Sequence, residues 1–272
     1  MALLKLPLRL PGCRRAPCVP VVVGTVTTLA GLKRLFSVPA LPCDWVEVRF
    51  DLLGLNRFDQ ALELLKILRH RRIPLLGTFR SAREGGKIDL SDEDRLEYFK
   101  RLLPWVHIVD VEGSSPDLVR TICRGCDLPM ILSYHHFETT PSLPKLLEIV
   151  APMLKVDHAL VKVACRVDSP RQLLTLTKLI EACPPGRLAA MGMGRYGEMS
   201  RTWLPERGSV LTYGFLDRSA ASGQVPVGRL YRHFHPPIRS APPPKASRLA
   251  RIAGRLKSLA RRSQPPAAQQ KS

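Results

Sequence analysis

A short apolar run followed by an amphipathic stretch recurs eight times along this chain, and no other feature constrains its fold as strongly. Most of the runs are nearly continuous, as expected for parallel strands that are covered on both faces. Eight strand-then-helix units in 272 residues predict an α/β fold, a (β/α)₈ TIM barrel. The predicted strands span residues 19–23, 45–50, 74–78, 106–111, 130–134, 159–164, 188–193 and 209–213.

Amphipathic segments between the runs predict the helices. One segment has an apolar stripe at helical spacing, formed by Phe58, Ala61, Leu62, Leu65 and Leu68. A later segment starts after Ser91, a typical N-cap residue, and stops at Pro104.

The chain carries a formal net charge of +19, and almost all of it lies at the two ends. Residues 1–43 and 229–272 contain seventeen Lys and Arg residues and no acid, whereas residues 44–228 contain 25 basic and 23 acidic residues. The central part therefore has the charge of an ordinary globular domain. The net charge gives little information about its activity.

Composition divides the chain into a basic N-terminal segment, the predicted barrel and a C-terminal extension, at residues 1–17, 18–234 and 235–272. The extension opens with a proline-rich linker. Within 245–262, apolar residues recur at helical spacing among Lys and Arg, which predicts a basic amphipathic helix and a weak anionic partner. A solvated tail with transient helicity is an equally good interpretation, since short isolated helices are marginally stable in water.

The seven cysteines predict neither a disulfide framework nor a zinc site. Cys123 and Cys126 form a lone C-x-x-C at the end of a predicted helix, which is the wrong end to stabilise a thiolate. The apolar stretch from Val19 to Val26 imitates a signal peptide only loosely, because Pro20 and Gly24 interrupt it. We therefore expect reduced thiols and a cytoplasmic location.

Lys162 lies inside the sixth apolar run, a predicted buried strand. Burial disfavours the charged form of a lysine, and the neutral amine is a nucleophile that condenses with ketones to a Schiff base. On this strand alone, the better interpretation is a lysine that reaches solvent at the edge of the sheet.

Polar side chains gather at the ends of other strands, where TIM barrels hold their catalytic groups. Glu47, Arg49 and Asp51 alternate along the second strand, so all three are predicted to point into the barrel. The adjacent His135 and His136 must face opposite ways, and we expect His135 to enter the site. These residues lack metal-ligand spacing, so no metal is expected.

Residues 192–197 match the dinucleotide pattern G-x-G-x-x-G, but at the seventh strand and before a short helix. Glycines at such a turn let backbone N–H groups approach any anion. With Ser200 and Arg201 following, a carboxylate clamp is as good an interpretation as a nucleotide site.

Taken in order, these motifs resemble those of the type I 3-dehydroquinate dehydratases, the Schiff-base dehydroquinases of the shikimate pathway. The resemblance covers residues 18–234. It rests on Glu47-x-Arg49-x-Asp51, Phe79-Arg80 with Glu84-Gly85-Gly86, Ser133-x-His135-x-Phe137 with Thr140-Pro141, Lys162, Met193-Gly194-x-x-Gly197-x-x-Ser200-Arg201, and Gly223-Gln224.

The resemblance implies a chemical role for each group. Lys162 would form an imine with the C3 ketone of 3-dehydroquinate. His135, oriented by Glu84, would remove the C2 proton and later protonate the departing C1 hydroxyl, so that 3-dehydroshikimate forms. Arg201 would clamp the substrate carboxylate, assisted by Gln224.

Further residues would complete the site by the same resemblance. Glu47, Arg49 and Arg80 would bind the ring hydroxyls and tune the charge near the lysine, whose neutral form neighbouring cations would favour. Met193 and Phe137 would pack on the carbocycle. The resemblance also implies an enzyme of aromatic amino-acid biosynthesis that works without a cofactor or metal, as a homodimer.

The chain departs from the family pattern in two places. Ala220 stands where the family usually has Ser, four residues before Gln224, so one carboxylate contact is lost unless Ser219 supplies it. His136 replaces the usual Asp or Asn. Two rivals stay open: another imine-forming lyase such as a class I aldolase, and a catalytically impaired barrel that binds nucleic acid or an anionic surface through its basic tail.

Overall fold

A computed structural model describes residues 19–70, 74–126 and 128–236. Within these residues, eight parallel strands form one sheet in the order β7-β6-β5-β4-β3-β2-β1-β8. The strands are β1 (Val21–Val26), β2 (Trp45–Arg49), β3 (Leu75–Thr78), β4 (Ile108–Glu112), β5 (Met130–His136), β6 (Ala159–Arg166), β7 (Leu188–Met193) and β8 (Leu211–Phe215).

The two outer strands of this sheet, β7 and β8, meet and close it into a barrel. The N–H of Val210 donates to the carbonyl of Leu188 over 3.1 Å. The hydroxyl of Ser209 accepts a hydrogen bond from the N–H of Ala190 over 2.8 Å. The fold is therefore a (β/α)₈ TIM barrel, which confirms the prediction from the repeating pattern.

A helix follows each strand in the described residues. Ser91 caps its helix as predicted, since its hydroxyl accepts from the N–H of Asp94 over 3.0 Å. The apolar stripe predicted from Phe58 to Leu68 is also buried on its helix. The helices are α1 (Leu29–Arg34), α2 (Phe50–Leu53), α3 (Phe58–Leu68), α4 (Asp92–Leu102), α5 (Pro116–Gly125), α6 (Leu143–Leu154), α7 (Pro170–Ala182), α8 (Gly197–Trp203) and α9 (Val227–Phe234).

Three strands begin two residues later than their apolar runs predicted: β1, β4 and β8. Val106 is fully buried although it precedes β4. Ser209 precedes β8 and bonds to β7 through its side chain. Apolarity reports burial rather than backbone pairing, so a buried loop residue looks like the first residue of a strand.

Alternate side chains of each strand face the barrel interior. On β6, Leu160 and Ala164 belong to the interior cluster. Val161 and Val163 pack instead with the helices. Lys162 therefore shares the inward face, and its strand lies between β5 and β7 rather than at an edge. The alternative of a lysine at the sheet edge was wrong.

The inward face changes character along each strand. On β4 the apolar Ile108 is followed by Asp110, and on β5 Ile131 is followed by Ser133 and then His135. The interior is thus apolar near the amino ends of the strands and polar near their carboxyl ends, which positions the site described below.

The predicted N-terminal segment (1–17) and the predicted amphipathic segment (245–262) lie outside the described residues. None of the helices in the described part of the chain is both long and apolar enough to cross a membrane.

Candidate active site

A cavity of about 580 Å³, counted to its open mouth, lies among the carboxyl ends of the strands. The ten residues to which the resemblance gave a catalytic or substrate-binding role all line it, although they come from different βα units. Thr25, Tyr213 and Ala220 line it as well. The ten are Glu47, Arg49, Arg80, Glu84, His135, Phe137, Lys162, Met193, Arg201 and Gln224.

Lys162 is buried, with 5% of its surface exposed. Its Nζ lies 2.8 Å from Oδ2 of Asp110 and 3.9 Å from Oε1 of Glu47. The ring of Tyr213 faces the same nitrogen, with its centroid 4.5 Å away. We expected neighbouring cations here, but the charged groups in direct contact with the lysine are the carboxylates of Asp110 and Glu47.

Asp110 belongs to a buried charge network that the motifs did not reveal. Arg80 donates to Asp110 over 2.8 Å, to Glu112 over 2.7 Å and to the hydroxyl of Ser133 over 2.6 Å. Burial raises the pKa of Asp110, but the cations of Arg80 and Lys162 outweigh it and hold that pKa well below its usual range. Asp110 is therefore ionised whenever the barrel is folded at neutral pH.

A sequence signal for this network exists on the fourth strand. Asp110 and Glu112 alternate within an apolar run, as Glu47 and Arg49 do on the second strand. Inward acids on a barrel strand need a cation or a ligand, since an unpaired buried charge is costly. That argument, applied to the fourth strand, would have found both residues.

His135 and Glu84 form a hydrogen-bonded pair. Nδ1 of His135 lies 2.9 Å from Oε2 of Glu84, and the backbone N–H of His135 donates to the same oxygen over 3.0 Å. The hydroxyl of Ser114 donates to the other oxygen of Glu84 over 3.0 Å. With Glu84 ionised, Nδ1 carries the proton, and the lone pair of Nε2 is left for a substrate.

The charge states of this pair follow from its surroundings. Burial, and then the cations of Arg80 and Lys162, lower the pKa of His135 well below its usual value. Burial raises the pKa of Glu84 to about 7, although Arg80 opposes the shift. Above pH 7 the contact is thus a hydrogen bond of a neutral imidazole to a carboxylate, rather than an ion pair.

A tight turn after β3 positions Glu84. Residues Ala82–Glu84 form one turn of 3₁₀-helix, and Ser81 caps it by accepting from the N–H of Arg83. Gly85 ends the turn with a positive φ of 82°, and a Cβ there would lie 2.3 Å from the ring of Phe137. A glycine is therefore required both by the backbone and by the packing of this ring at the cavity mouth.

Arg201 is a buried cation without an acidic partner among the described residues. Its Nε donates to the carbonyl of Gly223 over 3.0 Å and its NH1 to the carbonyl of Tyr213 over 2.8 Å. Burial lowers its pKa to about 10. A cavity-lining guanidinium that is oriented but not neutralised is suited to an anionic ligand.

A model of the type I 3-dehydroquinase family matches residues 17–235. The chain belongs to this family. A curated 3-dehydroquinate dehydratase of Methanocella arvoryzae is 33% identical over 215 residues, which are 78% of this chain and 94% of that protein. The family predicted from the motifs, and with it the class of hydro-lyases, is confirmed.

Solved structures of dehydroquinases share the fold. The 3-dehydroquinate dehydratase of Aquifex aeolicus superposes with a TM-score of 0.62 at 26% identity, over 79% of this chain and 99% of that chain. The type I enzyme of Clostridium difficile, with covalently modified comenic acid, gives a TM-score of 0.68 at 24% identity, over 79% and 90% of the two chains.

The prediction that Asp51 points into the barrel was wrong. β2 ends at Arg49, and Asp51 lies in α2, so the alternation of a strand does not extend to it. Nε and NH2 of Arg49 each donate to the Asp51 carboxylate over 2.8 Å. Asp51 therefore holds Arg49 in position and does not itself point into the barrel.

Of the two residues that depart from the dehydroquinase pattern, Ala220 lines the cavity and His136 does not. Ala220 lines the cavity beside Gln224, whose Oε1 accepts from the Ala220 N–H over 2.7 Å. Ser219 is exposed and donates to the carbonyl of Ala221, so it does not replace the missing hydroxyl. His136 lies off the cavity, where its Nδ1 accepts from the N–H of Thr139 over 3.3 Å.

The glycine-rich segment at residues 192–197 is a structural turn. Its short helix α8 carries Ser200, whose hydroxyl accepts from the N–H of Gly192 over 2.8 Å and donates to the carbonyl of Gly197 over 2.6 Å. Ser200 thus fixes the turn from which Arg201 reaches the cavity. Among the described residues, no cluster of His, Cys, Asp and Glu is arranged to hold a metal ion.

Proposed function

We propose that this protein is a 3-dehydroquinate dehydratase that works through a Schiff base on Lys162 with His135 as general acid and base. One observation carries the proposal. A buried lysine, a neutral histidine held by a carboxylate, and an unneutralised guanidinium line a single cavity. These three groups match an amine nucleophile, a proton carrier and a carboxylate anchor.

The substrate has a ketone and a carboxylate at separate positions of its ring. Arg201 would bind the carboxylate through the part of its guanidinium fork that the backbone carbonyls leave free, with Gln224 beside it. The ketone would then lie against Lys162. Glu47 and Arg49 would bind ring hydroxyls, and Met193 and Phe137 would cover the carbocycle.

Arg80 has a different role in this proposal from the one first expected. Its guanidinium already donates to two carboxylates and a hydroxyl, so few of its N–H groups remain for a ring hydroxyl. It would act chiefly on the charge around Lys162, by holding Asp110 in place.

Imine formation would proceed without a change in net charge at the lysine. A protonated lysine and a ketone give a protonated imine and water, and both hydrogens of that water come from the ammonium. Asp110 lies 2.8 Å from the nitrogen, so it would stabilise the cation before and after the reaction. The protonated imine withdraws electrons from C2 and acidifies its C–H bond.

His135 would carry the proton through the elimination. Its Nε2 takes the C2 proton, and the C–H electrons pass into the imine as an enamine. The imidazolium, stabilised by Glu84, returns its proton to the C1 hydroxyl as the C–O bond breaks and water leaves. Hydrolysis of the imine would release 3-dehydroshikimate and restore the lysine.

A turnover assay tests the proposed activity. The purified protein is incubated with 3-dehydroquinate and the enone absorbance of the product is followed, beside the Lys162→Ala variant at equal concentration. We expect product with the wild type and none with the variant. A folded wild-type protein that forms no enone would contradict the proposal. A class I aldolase would instead release a smaller fragment by carbon–carbon cleavage.

Expectations outside the site remain predictions. They are a homodimer in the cytoplasm, no cofactor or metal, and a weak anionic partner for residues 245–262. A chain ending at Pro236 addresses the last of these. If its binding to anionic vesicles and to nucleic acid equals that of the full chain, the tail has no such role.

A further inference from the structure

The hydroxyl of Tyr213 is a buried polar group whose hydrogen-bonding capacity is unused within the described residues. Tyr213 is inward on β8, has 3% of its surface exposed and lines the cavity. Two other buried side-chain atoms of the described chain share this lack of a partner, Nε of Arg95 and Nδ1 of His235, and neither residue lines the cavity. A buried donor without a partner destabilises a fold, so its presence in the cavity suggests a partner that arrives with the ligand.

The ring of Tyr213 packs against the amine of Lys162, so its hydroxyl belongs to the same part of the cavity. Nζ of Lys162 lies over the ring, 4.5 Å from its centroid. The backbone carbonyl of Tyr213 accepts from Arg201 over 2.8 Å, which fixes the strand at this point. The side chain packs in the interior cluster with Val23 and Leu211. The hydroxyl is thus held in place before any ligand binds.

The charge around Tyr213 makes its hydroxyl a donor that keeps its proton. Burial, and then the carboxylates of Glu47 and Asp110, raise its pKa well above the usual value, against the opposing cation of Arg80. Ionisation would place a third negative charge beside two carboxylates. A hydroxyl in this setting donates a hydrogen bond but does not supply a proton to the reaction.

We propose that the Tyr213 hydroxyl donates a hydrogen bond to the ketone oxygen of the substrate while Lys162 attacks the ketone carbon. This inference rests on the proposed function. The new C–N bond places that oxygen two bonds from Nζ, and Nζ already lies over the tyrosine ring. Tyr213 is thus a catalytic residue for imine formation and not for the proton transfers of His135.

The step balances without a proton from the tyrosine. One ammonium proton passes first to the Asp110 carboxylate, 2.8 Å away. The freed amine lone pair forms the C–N bond, and the carbonyl π electrons move to the oxygen. That oxygen takes a proton from the attached nitrogen to become a hydroxyl, and it takes the proton held by Asp110 as the C–O bond breaks, so that water, the protonated imine and the Asp110 carboxylate remain. The Tyr213 hydrogen bond stabilises the negative charge that builds on the oxygen during attack.

The Tyr213→Phe variant removes only the oxygen and keeps the ring against Lys162. The rate of imine formation is measured by quenching with borohydride at set times and quantifying the reduced adduct by mass spectrometry. Two ligands are used, 3-dehydroquinate and 3-dehydroshikimate. The second is already dehydrated, so its adduct reports imine formation without the elimination step. We expect Tyr213→Phe to slow adduct formation roughly 10- to 100-fold with both ketones.

Two further measurements separate a chemical role from a structural one. The melting temperature of Tyr213→Phe should equal or exceed that of the wild type, since the variant removes an unpaired buried hydroxyl. The matched control is Tyr98→Phe, which changes a ring that packs on Phe58 and Phe79 outside the cavity. We expect wild-type adduct formation from this control.

Each outcome decides the matter. A slower adduct in Tyr213→Phe with an undiminished melting temperature supports the inference. Wild-type adduct rates in that variant, or slower turnover with an unchanged adduct rate, would overturn it and leave the proposed function intact. If the wild-type protein forms neither enone nor adduct, the proposed function fails and this inference fails with it.

Discussion

Oδ2 of Asp110 lies 2.8 Å from Nζ of Lys162, and neither group has more than a trace of solvent contact. The same carboxylate accepts from Arg80 through its other oxygen. Asp110 therefore joins two buried cations into one network. In the proposed mechanism, Asp110 is the counter-ion both of the lysine and of the protonated imine that replaces it.

Asp110→Asn tests this network by removing one negative charge from a fully buried group of like size. We expect the free energy of unfolding to fall by about 3–5 kcal/mol, because Lys162 and Arg80 lose a buried counter-ion. We also expect slower adduct formation. Denaturant unfolding and borohydride trapping measure the two effects.

Asp59→Asn is the matched control for that loss. Asp59 pairs with Arg101 at the surface, where both side chains are exposed. Such pairs contribute less than about 1 kcal/mol, so little change is expected. Equal stability losses in the two variants would contradict the account of the buried network.

The pair of Glu84 and His135 predicts a pH dependence. The pKa of Glu84 is raised by burial to about 7, so below that pH the carboxylate takes up a proton. A protonated Glu84 donates to Nδ1 and forces the imidazole proton onto Nε2, where a base is needed. We expect kcat/KM to fall below pH 7 with a slope of about one log unit per pH unit.

Glu84→Gln removes this titration. An amide cannot ionise, so the variant should lose most of its activity at every pH. Its kcat/KM should also no longer fall below pH 7. Its binding of the substrate carboxylate should remain, because Arg201 is untouched. A fall below pH 7 that persists in Glu84→Gln would assign the titration to another group.

Lys162 could be singled out as a candidate from sequence because barrel strands obey a strict rule. A charged residue within a run of apolar residues must either reach an edge or point inward to a partner. The sequence did not decide between these for Lys162, since edges depend on strand order. The closure of the sheet through Ser209 settles that question.

The partners of the lysine were harder to predict, for two physical reasons. Asp110 is separated from Lys162 by 52 residues, and their contact depends on the register of β4, β5 and β6. Asp51 was misplaced because the pattern of a strand continues past the point where the backbone turns into α2. The alternation of residue types in a sequence shows which side chains share a face of a strand, but it does not show the residue at which the strand ends.

Ala220→Ser restores the hydroxyl that the dehydroquinase pattern has at this position. Ala220 lines the cavity beside Gln224, so the new hydroxyl would reach the site. We expect KM for 3-dehydroquinate to fall about 3- to 10-fold with little change in kcat, since one hydrogen bond to the carboxylate is gained. Steady-state kinetics measure this.

Ser219→Ala controls for that gain. The Ser219 hydroxyl donates to the carbonyl of Ala221 and is exposed. Its removal should leave KM within about twofold of the wild type. A large rise in KM in this variant would mean that Ser219 already binds the carboxylate.

The central claim is that Lys162 forms a covalent imine with the substrate. Borohydride reduction of the protein during turnover of 3-dehydroquinate, followed by peptide mass spectrometry, tests it most directly. The account predicts a reduced ligand adduct on the peptide that contains Lys162, and no adduct in Lys162→Ala. Enone formation by the wild-type protein without an adduct, or with the adduct on a different lysine, would contradict it.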